Sequence, residues 1–262
     1  MAQTLSLIGY GEAGRTFARA AGWEASARVF DIKPLAAHYN EDAVSGCTSC
    51  VAAVTGSPAI ISLVTADQAL AAAQSVAASI APSALYFDMN SVAPETKCAA
   101  AKAIAAAGGR YVDVAIMAPV DPARLAVPLL AAGPDAADGA EALTALGFTN
   151  VRSIGGDIGQ ASAIKMIRSI MVKGQEALTA EMMLAAKQAG VTNEVLASLG
   201  EGWVAKAEYN VERMQTHGLR RAAEMEEVAK TILALGIEPV MTLGTIRRQR
   251  EMAGQRTEEK SK

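Results

Sequence analysis

Aromatic residues make up only 4% of this 262-residue chain, so its core cannot be built mainly from large rings. Alanine carries much of the apolar content instead, and alanine favours helix and close helix packing. Cysteines number three, too few for a disulfide-stapled scaffold and suited to a reducing cytoplasm. Cys47 and Cys50 form a C-x-x-C, but no second pair completes a zinc site, so no metal is expected. Two cysteines near a helix start is the simpler reading of that pair, and a redox couple the alternative. Long apolar runs are missing, which argues against a bilayer-spanning segment and a membrane partner. The amino terminus enters a strand-like segment with no charged region or cleavage site before it and reads as lacking a signal peptide. Nor is there an excess of basic residues. Lys plus Arg number 24 against 27 Asp plus Glu, and no basic stripe appears, which argues against a nucleic-acid partner. The one dense charge run, 247–262, mixes both signs and reads as a frayed, solvated terminus.

The remaining composition, 51% hydrophobic and 19% charged, is that of a globular protein. In the first half, short apolar runs at 4–8, 27–30, 59–64, 84–88, 111–116, 127–131 and 151–154 alternate with helical stretches at 12–21, 67–79, 94–107 and 135–146. Strand–helix alternation predicts a parallel sheet covered on both faces. From 159 to 189 no proline occurs, and a single long helix is expected. Further helices are predicted at 193–199, 202–214, 219–235 and 240–251, with no strand among them. The reading is an α/β Rossmann-type dinucleotide-binding domain over 1–155, joined by the long helix to an all-α domain over 156–262.

Leu5-Ser6-Leu7-Ile8 leads into Gly9-Tyr10-Gly11-Glu12-Ala13-Gly14, a G-x-G-x-x-G between a strand and a helix. Gly9 permits the tight turn, Gly11 lets backbone approach a pyrophosphate, and Gly14 lets helix and strand pack closely. Free N–H groups at the helix start then face phosphate charge. Asp31, at the end of the second strand, is placed to accept hydrogen bonds from ribose hydroxyls and to repel a 2′-phosphate. NAD is therefore the expected cofactor; Arg28 and Lys33 nearby keep NADP as the alternative.

Further along stand Val64-Thr65, Asp88-Met89-Asn90-Ser91-Val92-Ala93-Pro94, Asp113-Val114-Ala115-Ile116-Met117-Ala118-Pro119, and Gly156-Asp157-Ile158-Gly159-Gln160-Ala161-Ser162-Ala163-Ile164-Lys165. With the glycine motif, these make the sequence resemble the β-hydroxyacid dehydrogenase superfamily, which includes 3-hydroxyisobutyrate and 6-phosphogluconate dehydrogenases. The likeness is greatest to a 6-phosphogluconate-dehydrogenase-like branch with a helical C-terminal domain. The resemblance implies that Val64, Thr65, Asn90 and Ser91 lie beside the cofactor, that Ser91, Ile116, Met117 and Ala118 bind substrate, and that Lys165 is catalytic. A hydroxyl loses its proton as hydride leaves its carbon, and a lysine near that oxygen can take the proton or return it.

Three departures bear on the substrate. Relatives often have Ser-Gly-Gly where this chain has Met117-Ala118-Pro119, and methionine and proline offer no comparable donors. An apolar or bulkier substrate than 3-hydroxyisobutyrate is expected. Ser169 stands where relatives have asparagine, one helical turn from Lys165 and on the same face; it is read as a second catalytic and substrate-binding group, with Arg168 beside it. The second lysine usual in the C-terminal domain is missing, and His217, Arg220 and Arg221 offer a different polar set, in which an arginine can clamp an anion. The expected activity is hydride transfer between a nicotinamide cofactor and a hydroxyl or carbonyl on a small molecule. Decarboxylating oxidation and imine reduction are the enzymatic alternatives, and a non-catalytic NAD-binding sensor is the alternative of another class. A homodimer is expected, with the Ala- and Met-rich stretch 177–189 supplying contact.

Overall fold

The computed structural model describes residues 5–259. Eight strands form one sheet: β1 (Leu5–Ile8), β2 (Ala27–Phe30), β3 (Ser45–Gly46), β4 (Ala59–Ser62), β5 (Leu85–Asp88), β6 (Arg110–Ile116), β7 (Leu129–Ala132) and β8 (Val151–Gly155). Their order is β3-β2-β1-β4-β5-β6-β7-β8. The helices are α1 (Glu12–Ala21), α2 (Ala36–Glu41), α3 (Cys50–Val54), α4 (Ala69–Ala77), α5 (Pro94–Ala106), α6 (Ala136–Ala145), α7 (Gln160–Ala189), α8 (Thr192–Leu199), α9 (Trp203–Ala234) and α10 (Val240–Glu259).

The strands are short apolar runs because both faces of the sheet are covered. Leu5, Leu7, Val29, Ile61 and Phe87 bury against Phe17 of α1 and Leu143 of α6. Their neighbours in sequence, such as Ile60 and Tyr86, point to the other face and pack on α3, α4 and α5 through Val54, Ala73, Val76 and Ile104. This alternation is the period-two geometry of a strand. The chain reverses its order of strand addition between β1 and β4, and in such sheets ligands bind outside the carboxyl ends of the strands at that switch point.

One strand departs from the expected parallel arrangement: β7 runs antiparallel to β6. The link between them holds a single 3-10 turn, Arg124–Ala126, and no crossover helix. Without a crossover the chain can only fold back. Among the short elements, α2 and β3 fall where no regular structure was predicted, while α3 begins at the cysteine pair, where a helix start was the simpler reading. Cys50 opens α3, whose first turn is capped by Ser49 Oγ accepting from the Ala52 N–H at 3.1 Å. Both thiols of the C-x-x-C are free, and burial pushes the Cys50 thiol upward, away from a reactive thiolate.

The chain divides into two compact units after Lys165, inside α7 and ten residues beyond the expected boundary at 155/156. The first turns of α7 thus belong with the sheet. In the second unit, two helices expected at 202–214 and 219–235 are one continuous α9. Buried residues Met214, Gly218, Ala222, Met225, Val228 and Ile232 recur at helical spacing straight through the glycine. A Cβ on Gly218 would stand 2.3 Å from Gln249 O of α10, so the missing side chain is what lets the two helices meet. Of the charged run 247–262, expected to be a frayed terminus, residues 247–259 continue α10, and 260–262 lie outside the described residues. Within it Gln249 and Met252 are buried, and Arg248 pairs with Glu181 at 2.9 Å. Of the stretch 177–189 expected to supply a dimer contact, Ala177 and Ala180 are covered by Met214 and Met252 of their own chain, Met182 and Met183 are half-buried and Ala185 is exposed. Among the described residues no helix is long and apolar enough to cross a membrane.

Candidate functional site

The turn from β1 into α1 has the geometry its glycines predict. Gly9 sits at φ +93°, where a Cβ would lie 2.4 Å from Leu63 O, and a Cβ on Gly14 would lie 2.7 Å from Gly9 O. Gly11, the residue before α1, caps the helix with no side chain, and a Cβ there would meet nothing within 4 Å. The first N–H groups of α1 are therefore presented to open space, with exposed Glu12 and half-buried Ala13 in that turn. Asp31 follows β2, and its two oxygens accept from the Tyr10 N–H at 2.7 Å and the Lys33 N–H at 2.8 Å. A carboxylate has about four acceptor positions, so capacity for ribose hydroxyls remains.

Tyr10 was expected at the cofactor, but its side chain turns inward. The ring is 1% exposed and the hydroxyl donates to Asp42 Oδ2 at 3.0 Å. A buried phenol needs such a partner, and that requirement fixes its direction. Burial and the Asp42 hydrogen bond push the Tyr10 phenol well up. Asp42 also takes Arg15 Nε at 2.7 Å and Arg19 Nε at 2.6 Å. Burial alone would raise the Asp42 carboxyl, but these hydrogen bonds outweigh it and hold the group below its ordinary value.

At the ends of β4 and β5, Asn90 is likewise committed within the fold. Its Oδ1 accepts from the Val64 N–H at 2.7 Å and its Nδ2 donates to Ser62 Oγ at 3.0 Å. Asn90 thus shapes the half-buried Val64 and the exposed Thr65 next to it instead of presenting its amide. The neighbouring Ser91 is different. Its hydroxyl accepts from Lys165 Nζ at 2.5 Å, which brings two sequence-predicted residues together. Of the 116–118 segment, Ile116 and Ala118 pack into the sheet core, and Met117 packs on the cluster of Ala115, Leu130 and Ala161. The Met117 N–H is taken by Pro128 O at 2.9 Å. Ile116, expected to bind substrate, is 8% exposed because the strand period points it inward.

Beneath Ser91 and Lys165 lies a cluster that sequence reasoning missed. Lys97 of α5 is fully buried, and its Nζ donates to Asp88 O at 2.6 Å and Asp88 Oδ1 at 2.8 Å, with Asp113 Oδ1 at 3.4 Å. Asp88 Oδ2 accepts from Tyr111 OH at 2.7 Å, and Oδ1 also accepts from the Asn90 N–H at 3.0 Å. Burial, reinforced by Asp88, pushes the Tyr111 phenol far up, so it serves as donor. Asp113 Oδ2 accepts from the N–H groups of Gly159 and Ser162, each at 3.1 Å, and its Oδ1 accepts from Ser162 Oγ at 2.8 Å. A carboxylate thus caps the positive start of α7. The signal for Lys97 lay in helical period: the buried residues of α5 are Lys97, Ala100, Ala101 and Ile104, one stripe.

In the second unit, buried Ser169 accepts from Lys173 Nζ at 3.3 Å, and Lys173 pairs with Glu224 at 2.9 Å. Arg221, expected to clamp an anion, is 6% exposed and already forked onto Glu176, which also accepts from Gln249 Nε2 at 3.0 Å. Buried in a helix bundle, its guanidinium needs an internal partner and has one. Arg220 is exposed and reaches Glu224 at 3.4 Å, Arg168 is exposed, and His217 is half-buried on α9. Among the described residues no group of three or more His, Cys, Asp or Glu could hold a metal ion.

What the carboxyl edge of this sheet is shaped to take is a dinucleotide: the glycine cradle, the bare helix start and the acid after β2 each face the place such a ligand needs. Comparison with known proteins then gives the family. The model of the NAD binding domain of 6-phosphogluconate dehydrogenase matches residues 4–149, and a domain of unknown function (DUF1932) matches residues 186–252. The chain belongs to this NAD-binding family, within the β-hydroxyacid dehydrogenase superfamily, and its cofactor is NAD(P). It is 37% identical to a conserved hypothetical protein from Sinorhizobium meliloti 1021, over 95% of this chain and 88% of that one, with a TM-score of 0.76. It is 30% identical to the conserved protein MTH1747, described as structurally similar to 3-hydroxyacid dehydrogenases, over 97% and 98% of the two chains, with a TM-score of 0.73. The fold is also that of 3-hydroxyisobutyrate dehydrogenase (ygbJ) from Salmonella typhimurium, at 20% identity, 94% and 93% coverage and a TM-score of 0.75.

Proposed function

We propose that this chain is an NAD(P)-dependent dehydrogenase or reductase that interconverts a hydroxyl and a carbonyl group on a small molecule, with Lys165 exchanging the proton. The observation that carries the reading is the 2.5 Å hydrogen bond from Lys165 Nζ to Ser91 Oγ, at the carboxyl end of β5. It sets an amine and a hydroxyl together on the sheet edge where the family binds its cofactor. Gly9, Gly11 and Gly14 cradle the pyrophosphate, and Asp31 meets the adenosine ribose. Bound there, the nicotinamide ring supplies or accepts the hydride. In oxidation, Lys165 Nζ takes the proton of the substrate hydroxyl as the carbonyl forms; in reduction, the ammonium returns it to the carbonyl oxygen. Ser91 Oγ holds the lysine in place and presents its own hydroxyl to the substrate. Ser169, one turn on in α7, is assigned a substrate hydrogen bond by its spacing.

The substrate is bulkier or more apolar than 3-hydroxyisobutyrate. The amide of Met117 is already used by Pro128 and Pro119 has none, so the segment offers poor capture of a small carboxylate. The test is nicotinamide absorbance across a panel of hydroxy acids, alcohols, ketones and imines. Turnover of an alcohol–carbonyl pair is expected. Carbon dioxide release would assign decarboxylating oxidation, and turnover of imines alone would assign imine reduction. Cofactor binding with no turnover on any member would assign a non-catalytic NAD sensor.

The same reading includes a homodimer. Ile167, Met171 and Leu178 of α7 are 49%, 63% and 57% exposed, and Leu219 of α9 is 70% exposed. Exposed apolar side chains recurring along one helix support a protein contact there.

A further inference from the structure

Lys97 is the one fully buried cation of the first unit's described residues that the proposed chemistry does not use. Its ammonium touches the carbonyl and carboxylate of Asp88 and reaches the carboxylate of Asp113. These two aspartates root two separate segments. Asp88 ends β5 and opens the loop that carries Ser91, and it also receives the Asn90 N–H of that loop. Asp113 holds the Gly159 and Ser162 N–H groups and the Ser162 hydroxyl, at the start of the helix that carries Lys165. We infer that Lys97 is a positioning residue that ties the Ser91 loop to the Lys165 helix, so that amine and hydroxyl are held in one pose.

The network itself does no proton chemistry. Asp88, Lys97 and Asp113 are all 0% exposed, and both carboxylates have each oxygen engaged by protein donors. Stability does not explain it either, since apolar packing of the same volume usually serves as well as a buried ion pair. What an ammonium supplies and a methyl group cannot is direction. Its N–H donors are fixed by hydrogen bonds on the Asp88 carbonyl and carboxylate, and its charge faces the Asp113 carboxylate at 3.4 Å, so one ammonium engages both segments. The inference rests on Lys165 being the proton-exchanging group, and its test is independent of turnover.

That test is the rate at which Lys165 is modified by 2,4,6-trinitrobenzenesulfonate, read by mass spectrometry against the exposed Lys187 of the same protein. Lys97→Met alone leaves two buried carboxylates uncompensated and is expected to fold poorly. The double variant Lys97→Met/Asp113→Asn restores the wild-type buried charge of one excess carboxylate, and Ser162→Ala removes only a hydroxyl. Both are compared with wild type where circular dichroism shows native helix. Loosening the tie is expected to raise the Lys165/Lys187 ratio about fivefold, the size of one lost hydrogen bond. A wild-type ratio in both folded variants, even with a lowered Tm, overturns the positioning role and leaves a merely structural one. Near wild-type turnover by Lys165→Ala would instead sink the catalytic reading without touching the ratio, so the two can fail separately.

Discussion

Lys165 and Ser91 stand 74 positions apart in sequence and meet at 2.5 Å, nitrogen to oxygen. Replacing the amine should therefore separate chemistry from cofactor binding. Lys165→Ala is expected to lose about 10²- to 10⁴-fold in kcat, the usual contribution of a positioned acid or base. NADH affinity, set by the glycine turn and Asp31, should hold in a fluorescence titration. Ser91→Ala should cost less, about tenfold, because it removes a hydrogen-bonding hydroxyl and leaves the proton-exchanging amine in place.

Asp31 gives a prediction about cofactor choice. Its carboxylate is fixed by two backbone N–H groups at the end of β2. A 2′-phosphate brought beside it would meet like charge in partly solvated surroundings, a repulsion of about 1–4 kcal/mol. Wild type is expected to favour NAD. Asp31→Asn keeps the shape and removes the charge, so the ratio of kcat/KM for NADP over NAD should rise about tenfold or more. Steady-state kinetics with both cofactors checks this; an unchanged ratio would take the discriminating role from Asp31.

The clamp of Asp42 by Tyr10, Arg15 and Arg19 predicts a pH effect on stability. The folded carboxyl sits below its ordinary 3.8, because the arginine and tyrosine hydrogen bonds outweigh the upward push of burial. A group depressed on folding stabilises the protein above its unfolded pKa and ceases to do so as pH falls through the folded one. The loss therefore lies below about pH 3.8 and is absent at neutrality. Asp42→Asn should lower stability at pH 7 by on the order of 2 kcal/mol. Its Tm should also fall less steeply than that of wild type on acidification below pH 4, which calorimetry at stepped pH measures.

The exposed face of α7 makes association measurable. Met171 and Leu178, seven positions apart, lie on the same side of the helix and are both more than half exposed. Light scattering of the purified chain is expected to give the mass of a dimer. Met171→Glu/Leu178→Glu buries charge in that contact and should give a monomer with native helix content. A wild-type monomer at micromolar concentration, or a dimer untouched by the pair, would move the interface elsewhere.

The legible parts of this molecule were those where one residue type is nearly compulsory. Gly9 tolerates no side chain against Leu63 O, and so the β1–α1 turn could be read directly. Less legible was anything decided by what lies across the fold. Tyr10 and Asn90 stand in cofactor-side motifs, yet each is drawn to a buried partner, Asp42 or Ser62, that no local pattern announces. Lys97 looked like one polar residue in an alanine-rich helix. Only its place on the stripe with Ala100, Ala101 and Ile104 marked it as buried, and only the fold shows the aspartates that allow it. The direction of β7 followed from a missing crossover helix in a stretch where apolar residues alone could not tell the two pairings apart.

Gly218 carries the same lesson and sharpens it into a measurement. Helix propensity favours alanine over glycine by about 1 kcal/mol, and this is why a glycine in mid-sequence reads as a break. In α9 that preference is opposed by contact. A Cβ at 218 would lie 2.3 Å from Gln249 O and 2.9 Å from Ala253 Cβ, and the nearer atom is backbone that cannot swing aside. Overpacking of this kind costs about 1–3 kcal/mol, enough to reverse the sign. Gly174 in α7 is the control, because a Cβ there meets nothing closer than Thr245 Oγ1 at 4.0 Å. Gly174→Ala should raise Tm slightly through helix propensity and a less flexible unfolded chain, while Gly218→Ala should lower it. If both substitutions stabilised the protein alike, α9 and α10 could not approach as closely as the buried glycine requires.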